Sequence, residues 1–258
     1  ELNGRTLGGG GLGKIGVLVA NGGVARGMKV VAYEPYPSVS NMHQLHTAVR
    51  ITNNLEEVVR ASHALSLHVP LTPQTKNLIN AHMIEVMPKD SLLLNFSRGG
   101  IVDEAAVVAA LDAGKMQAYI TDFVSLSTLK HEKCINLPHL GASTAEAEEN
   151  CATMAVEQLK LYLEHGVVRN SVNFPAVNAM PSAGTKTRLV VINRDVPNMI
   201  ANITKVLGDA GVNIQSFKNE SNGKIGYNLV DLATEVSADL VEKISKDENV
   251  LKVRVIQY

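Results

Sequence analysis

Gly11-Leu12-Gly13-Lys14-Ile15-Gly16 opens a helical stretch, and 18 residues after its last glycine a short apolar run, Val30 to Tyr33, ends at Glu34. In a strand–turn–helix unit of this kind the first glycine makes a tight turn. The second lets the backbone approach a pyrophosphate, and the third allows close helix–strand packing. The start of the helix, from Gly11 and Gly13 through Lys14, Ile15 and Gly16, then turns free N–H groups toward the phosphates. An acidic residue about 20 residues further on binds ribose hydroxyls and favours NAD over NADP, and Glu34 stands there. The glycine pattern alone is an ordinary turn; with a strand and an acid at the right spacing, dinucleotide binding is the stronger reading. Gly8-Gly9-Gly10 disagree with it, because a buried strand should carry β-branched residues there. Either this first strand is poor, or the sequence is in error at this point.

Outward from the loop, short apolar runs alternate with amphipathic ones. Ala64 to Val69, Ser91 to Phe96, Ala118 to Asp122 and Cys134 to Leu137 join Val30 to Tyr33 as buried strands. Asn54 to Ala61, Ala81 to Val86 and Glu104 to Ala113 read as helices, with Asn80 and Asp103 as N-caps and Gly114 closing the last. Such alternation predicts an α/β, Rossmann-type doubly wound parallel sheet. Thr144 to His165 reads as one long helix, capped by Ser143 or Thr144 and ended by Gly166. Residues 167–185 have no clear period and read as a linker. From residue 186 the rhythm changes to strand (Arg188 to Ile192), helix (Pro197 to Ala210), strand (Val212 to Asn219), strand (Lys224 to Leu232), helix (Ser237 to Ser245) and strand (Val250 to Gln257). Asn222-Gly223 predicts a type I′ hairpin turn, which needs positive φ at both central residues. The order βαββαβ predicts a ferredoxin-like sandwich. The expected organisation is therefore 1–166 dinucleotide-binding, 167–185 linker and 186–258 a second domain.

The whole composition fits two soluble domains. The chain has 258 residues, 45% hydrophobic and 19% charged, which suits about two domains of ordinary size. Its net charge of −1 argues against a general nucleic-acid or anionic-membrane partner. The two cysteines, Cys134 and Cys151, have neither disulfide-framework nor zinc spacing, which fits a reducing, cytoplasmic setting and no metal. No apolar run approaches the ~18 residues of a membrane span. Glu1 reads as mid-protein, with no initiating Met and no signal peptide.

Several segments then carry a resemblance: Gly4-Arg5-Thr6-Leu7-Gly8 before the glycine loop, Leu67-His68-Val69-Pro70-Leu71-Thr72, Asn95-Phe96-Ser97-Arg98-Gly99-Gly100-Ile101-Val102-Asp103, and Leu137-Pro138-His139-Leu140-Gly141-Ala142-Ser143-Thr144. Together they resemble the nucleotide-binding domain of the D-2-hydroxyacid dehydrogenase family. Val172-Asn173-Phe174-Pro175 and the βαββαβ tail resemble its phosphoglycerate-oxidising branch, which ends in an ACT regulatory domain. The resemblance implies NAD-dependent oxidation of 3-phospho-D-glycerate to 3-phosphohydroxypyruvate, the entry to L-serine biosynthesis. It implies His139 as the base and Arg98 as the cation for the substrate carboxylate. Histidine, with an ordinary pKa near ~6.5, suits proton transfer, and the arginine fork suits a carboxylate. His68, Val69, Pro70, Phe96, Ser97, Arg98, His139 and Gly141 would line the cofactor. Asp122 would contact the nicotinamide carboxamide, or Thr121 if the register shifts by one.

The chain departs from the family pattern in three ways. The glutamate that usually orients the catalytic histidine has no counterpart in Phe123-Val124-Ser125-Leu126-Ser127-Thr128, and Glu132 lies too close to the next strand, so His139 should lack a carboxylate partner unless another group replaces it. The first half of the substrate domain has no counterpart before Glu1, which predicts NAD binding with poor turnover. The glycine that usually follows the proline opening the first tail helix is Asn198. Asn193, Asp195 and Asn213 occupy the effector positions of the tail, so the effector could be serine, another amino acid, or nothing. The family pattern also implies a homo-oligomer, dimer or tetramer. The competing readings are a catalytically impaired regulatory fragment that binds NAD and an amino acid, and a dehydrogenase-like interaction protein.

Overall fold

The computed structural model describes residues 1–258 and divides them into two compact units, Glu1–Leu140 and Gly141–Tyr258. The first unit runs β1 (Thr6–Gly10), α1 (Lys14–Ala25), β2 (Lys29–Tyr33), α2 (Val39–Met42), β3 (Arg50–Thr52), α3 (Leu55–Ala61), β4 (Ala64–Leu67), α4 (Ala81–Val86), β5 (Ser91–Asn95), α5 (Glu104–Asp112), β6 (Met116–Thr121), α6 (Leu126–Leu129) and β7 (Cys134–Asn136). Its seven strands form one parallel sheet in the order β3-β2-β1-β4-β5-β6-β7. Strand order reverses between β1 and β4, and in sheets of this kind ligands bind outside the carboxyl ends of the strands at that point. The expected helices α3, α4 and α5 are present, with Asn54, Asn80 and Asp103 accepting the capping N–H bonds. Val58, Leu65, Leu67, Leu93, Leu111 and Tyr119 are fully buried in the main core.

Gly8-Gly9-Gly10 form a complete strand, paired on both sides by β2 and β4. The space around two of these glycines does not admit side chains. A Cβ on Gly8 would overlap Ser62 Oγ, and one on Gly10 would lie 2.8 Å from Leu67 Cδ2. Ser62 is buried and holds its place by donating to the Val58 carbonyl at 2.6 Å. Close packing on neighbouring side chains thus outweighs the low strand propensity of glycine.

The second unit begins with α7 (Ala145–His165) and continues through β8 (Thr187–Arg194), α8 (Met199–Asp209), β9 (Ile214–Ser221), β10 (Ile225–Leu232), α9 (Ala238–Ser245) and β11 (Val250–Gln257). The four strands make a separate antiparallel sheet in the order β11-β8-β10-β9. The long helix therefore groups with this unit, and so do residues 167–185, where Val168 bridges Val177 and Phe174 stacks on Tyr162. The β9–β10 hairpin forms, but not by a type I′ turn. Of its connecting residues only Gly223 has positive φ, and Asn222 instead accepts the N–H groups of Lys224 and Ile225 through its side chain. Asn198 adopts φ 71°, as expected of a residue standing where the family has glycine.

Two polar features organise this unit. The last carbonyls of α7, orphaned at any helix end, are each met from the sheet side. Arg254 donates to Tyr162 and Leu163, Tyr258 to Glu164, Arg188 to His165 and Tyr227 to Gly166. Burial holds the Tyr227 phenol above the ordinary tyrosine range. Arg188 also donates to the Ala179 carbonyl and pairs with Asp231, both side chains 1–2% exposed. Across the sheet, Asn219 donates to Asn228, and Asn228 donates to Asn193 and to the Val191 carbonyl.

Candidate functional site

The glycine loop leaves β1 at the strand-order switch. Gly11 has φ +98°, and a Cβ there would lie 2.8 Å from both the His68 carbonyl oxygen and Val69 Cγ1. A Cβ on Gly16 would overlap the Gly11 carbonyl, so α1 packs against the loop as the third glycine of the pattern requires. Gly13 is different: nothing lies within 4 Å of the position its Cβ would take. The open side of the loop is therefore at Gly13, with Lys14 and Ile15 exposed beside it. Among helices of eight or more residues only α1 and α8 lack a side-chain N-cap. The uncapped start of α1 leaves its N–H groups to an external anion.

Glu34 follows β2 and turns back to the loop. Its Oε2 accepts the Leu12 N–H at 2.7 Å and its Oε1 accepts the Tyr36 N–H at 3.0 Å. The residue expected to hold a ribose also fixes the loop backbone, and each oxygen keeps a lone pair for a hydroxyl donor. His68 follows β4 against the loop, with Nε2 2.9 Å from Ser66 Oγ and its backbone N–H donating to the Gly10 carbonyl. Burial lowers the His68 imidazole to about 4, so it is neutral near pH 7. Because the folded value lies below the unfolded one, stability from this site is complete above about pH 6.5 and falls as pH drops toward 4. The loss amounts to at most about 3 kcal/mol. Denaturant midpoints measured from pH 7 to pH 4.5 should therefore decline more steeply for the native chain than for His68→Asn. Equal slopes would remove this account.

The loop after β5 is held by a residue that sequence reading passed over. Asn95, buried at the strand end, accepts the Ser97 N–H and hydroxyl through Oδ1 and donates to the Arg98 carbonyl. Thr121, also buried, donates to the Asn95 carbonyl and accepts the Phe123 N–H, tying the ends of β5 and β6 together. The available signal was a polar residue closing each apolar strand. Phe96 and Pro70 are exposed, and Val69 packs beside Gly11. Arg98 is exposed, its guanidinium donating to the Ser97 carbonyl at 2.7 Å.

Asp122 and His139 meet where β6 and β7 end. His139 Nδ1 lies 2.8 Å from Asp122 Oδ2, and the Phe123 ring tilts against the imidazole with centroids 4.7 Å apart. His139 thus has a carboxylate partner other than the family's glutamate. Nothing between Phe123 and Thr128 supplies one, but the strand-end aspartate does. Asp122 Oδ1 is buried without a hydrogen-bond partner. Beside it lies an open cavity of about 600 Å³ lined by Gly99, Gly100, Asp103, Asp122 and Phe123 among others. A bare carboxylate oxygen at such a wall and an open Gly13 above an uncapped helix are the two acceptor and donor sites a dinucleotide amide and pyrophosphate need, so the residues fit NAD. No group of three metal-ligating side chains occurs, and no helix is long and apolar enough to cross a membrane.

Of the expected tail residues, Asn193 and Asp195 line one cavity of about 400 Å³, together with Asn198, Asn219 and the start of α8. Asn213 is exposed and is not among its lining residues. Gly141 is exposed and opens the second unit.

Comparison with known proteins agrees with this geometry. Residues 1–142 match the family described as D-isomer specific 2-hydroxyacid dehydrogenase, NAD binding domain. D-3-phosphoglycerate dehydrogenase of Haemophilus influenzae is 32% identical over 99% of this chain, and that of Escherichia coli strain K12 is 31% identical over 94%. The chain spans 64% and 60% of the lengths of these two relatives. Among solved structures, a D-lactate dehydrogenase from Aquifex aeolicus complexed with NAD and lactic acid is 29% identical, with TM-score 0.55 over 63% of this chain and 54% of its own. A glyoxylate reductase from Paecilomyes thermophila gives TM-score 0.60 at 26% identity, over 67% of this chain and 53% of its own. The chain belongs to the D-isomer-specific 2-hydroxyacid dehydrogenases, and its first 142 residues are their NAD-binding domain.

Proposed function

We propose that the chain serves NAD-dependent oxidation of 3-phospho-D-glycerate to 3-phosphohydroxypyruvate, the entry step of L-serine biosynthesis. The observation that carries this reading is His139, partnered by a carboxylate at the carboxyl edge of the same sheet that holds the glycine loop. Arg98 binds the substrate carboxylate, and His139 Nε2 accepts the proton of the C2 hydroxyl as that carbon becomes a carbonyl. NAD, when bound, takes the hydride leaving C2. Gly13, Lys14, Ile15 and Gly16 hold its pyrophosphate through backbone N–H groups, and Glu34 its adenosine ribose. His68, Val69, Pro70, Phe96 and Ser97 line the rest of the cofactor. The two D-3-phosphoglycerate dehydrogenase relatives support the choice of substrate.

The functional division we infer is 1–166 dinucleotide-binding with its return helix, 167–185 connecting and 186–258 regulatory. The strand order β11-β8-β10-β9 with two helices is that of a ferredoxin-like sandwich, which supports an ACT domain. Its effector is an amino acid such as L-serine. Asp195 suits the ammonium group and the uncapped start of α8 suits the carboxylate, while Asn193 and Asn219 supply further polar contacts. Its edge strands β9 and β11 suit pairing in a homo-oligomer, dimer or tetramer. The second reading, a regulatory module that binds NAD and an amino acid without efficient turnover, is favoured by this effector cavity alone.

Calorimetric titration with NAD followed by assay of NADH formation from 3-phosphoglycerate, with and without L-serine, tests both. Binding with slow turnover, reduced further by serine, is the expected result. Binding without turnover selects the module, and no NAD binding removes both readings.

A further inference from the structure

We propose that Asp122 is the positioning residue of His139 as well as a cofactor contact, one carboxylate serving both through its two oxygens. This rests on the reading of His139 as the proton acceptor. Asp122 Oδ2 is 2.8 Å from His139 Nδ1, and no other carboxylate lies within 4 Å of the imidazole. An ionised carboxylate only accepts hydrogen bonds, so Nδ1 must carry the hydrogen and Nε2 keeps its lone pair for the substrate hydroxyl. The aspartate is well placed to impose this. Its side chain is 11% exposed against 55% for His139, so the buried member sets the direction of the exposed one. The backbone around it is pinned by Thr121, which bonds the Asn95 carbonyl and the Phe123 N–H. The Phe123 ring limits how the imidazole can turn away.

The second oxygen points to the other duty. Oδ1 is buried with no partner, and a buried acceptor is costly to leave unpaired. An amide N–H₂ is a neutral donor that satisfies it without discharging the carboxylate, and the nicotinamide carboxamide is such a donor. The residues 123–133 then need no separate acid. The strand-end aspartate joins the proton and hydride sides of the reaction in one side chain.

Nitrogen-15 NMR of the whole chain reads the His139 tautomer directly and needs no turnover. The native chain should show Nδ1–H. In Asp122→Asn the amide can donate to Nδ1 instead, and the ring should shift to Nε2–H. An unchanged tautomer overturns the positioning role. Asp122→Ala should weaken NAD about 10-fold while leaving ADP-ribose, which lacks the carboxamide, unchanged; equal weakening of both overturns the double duty. Where the native chain turns over 3-phosphoglycerate, Asp122→Asn should lower kcat on the order of 10⁴-fold, as a wrong histidine tautomer does in other enzymes. A native chain without turnover counts against the proposed reaction, and the tautomer still decides the role of Asp122.

Discussion

Replacing Arg188 by leucine should destabilise the C-terminal unit by about 3–5 kcal/mol. Arg188 holds Asp231 by two hydrogen bonds, Nε to Oδ1 at 2.5 Å and Nη2 to Oδ2 at 2.9 Å, in a place where neither side chain meets water. Burial by itself pushes the Asp231 carboxyl up; the Arg188 guanidinium and the Ser182 N–H outweigh it and hold it below the usual carboxylate range. Without the arginine the balance reverses and an uncompensated charge stays buried. The carbonyls of His165 and Ala179 also lose their donor, at about 1–3 kcal/mol for each that stays dry. The double variant Arg188→Leu with Asp231→Leu should recover much of the loss, because apolar replacement of a buried pair is often neutral. Urea denaturation followed by circular dichroism compares the three chains. A single variant within about 1 kcal/mol of native would show that the pair is not the hub described.

The second large effect separates two glycines of one loop. Gly11→Ala should cost about 3 kcal/mol or more. It combines backbone strain at φ +98° with a methyl pressed against the His68 carbonyl and Val69, each term being about 1–3 kcal/mol. Gly13→Ala places its methyl in open space at φ −67°, so thermal unfolding should move by no more than a few tenths of a kcal/mol. Its penalty falls on the cofactor instead. The methyl stands where a pyrophosphate approaches, and NAD affinity should drop on the order of 10–100-fold, about 1.4–2.8 kcal/mol. Calorimetric unfolding paired with NAD titration distinguishes them. If Gly13→Ala binds NAD normally, the phosphate does not approach there.

How far the sequence could be read depended on where the determinants lay. Period, caps and glycines are local, so the parallel strands, α3 to α5, the long α7 and the second unit's strand–helix order were legible within a few residues. The three-glycine strand was not, because its cause is Ser62 and Leu67, more than fifty residues away. The hairpin was legible but its turn was not: Asn222 reaches the turn geometry by side-chain bonds rather than by positive φ. At the site, Gly11, Gly13, Gly16, Glu34 and His139 followed from spacing and resemblance. The partner of His139 was missed because an aspartate already assigned to the cofactor was not considered for a second bond. Asn95 and Thr121 act through hydrogen bonds between strand ends, which no linear pattern reveals.

The asparagine row across β8, β10 and β9 has a consequence for how the second sheet finds its alignment. Asn228 faces Asn219 across one strand pair, while Lys218 and Glu220 flank that position. Sliding β9 by one residue would set a charged side chain against Asn228 and turn Asn219 to the opposite face. The amide of Asn228 would then lose a partner inside the sheet. β8 and β10 are buried on both faces and have no in-and-out alternation to set their frame; this row acts as a key that closes only when the hairpin is in its native frame.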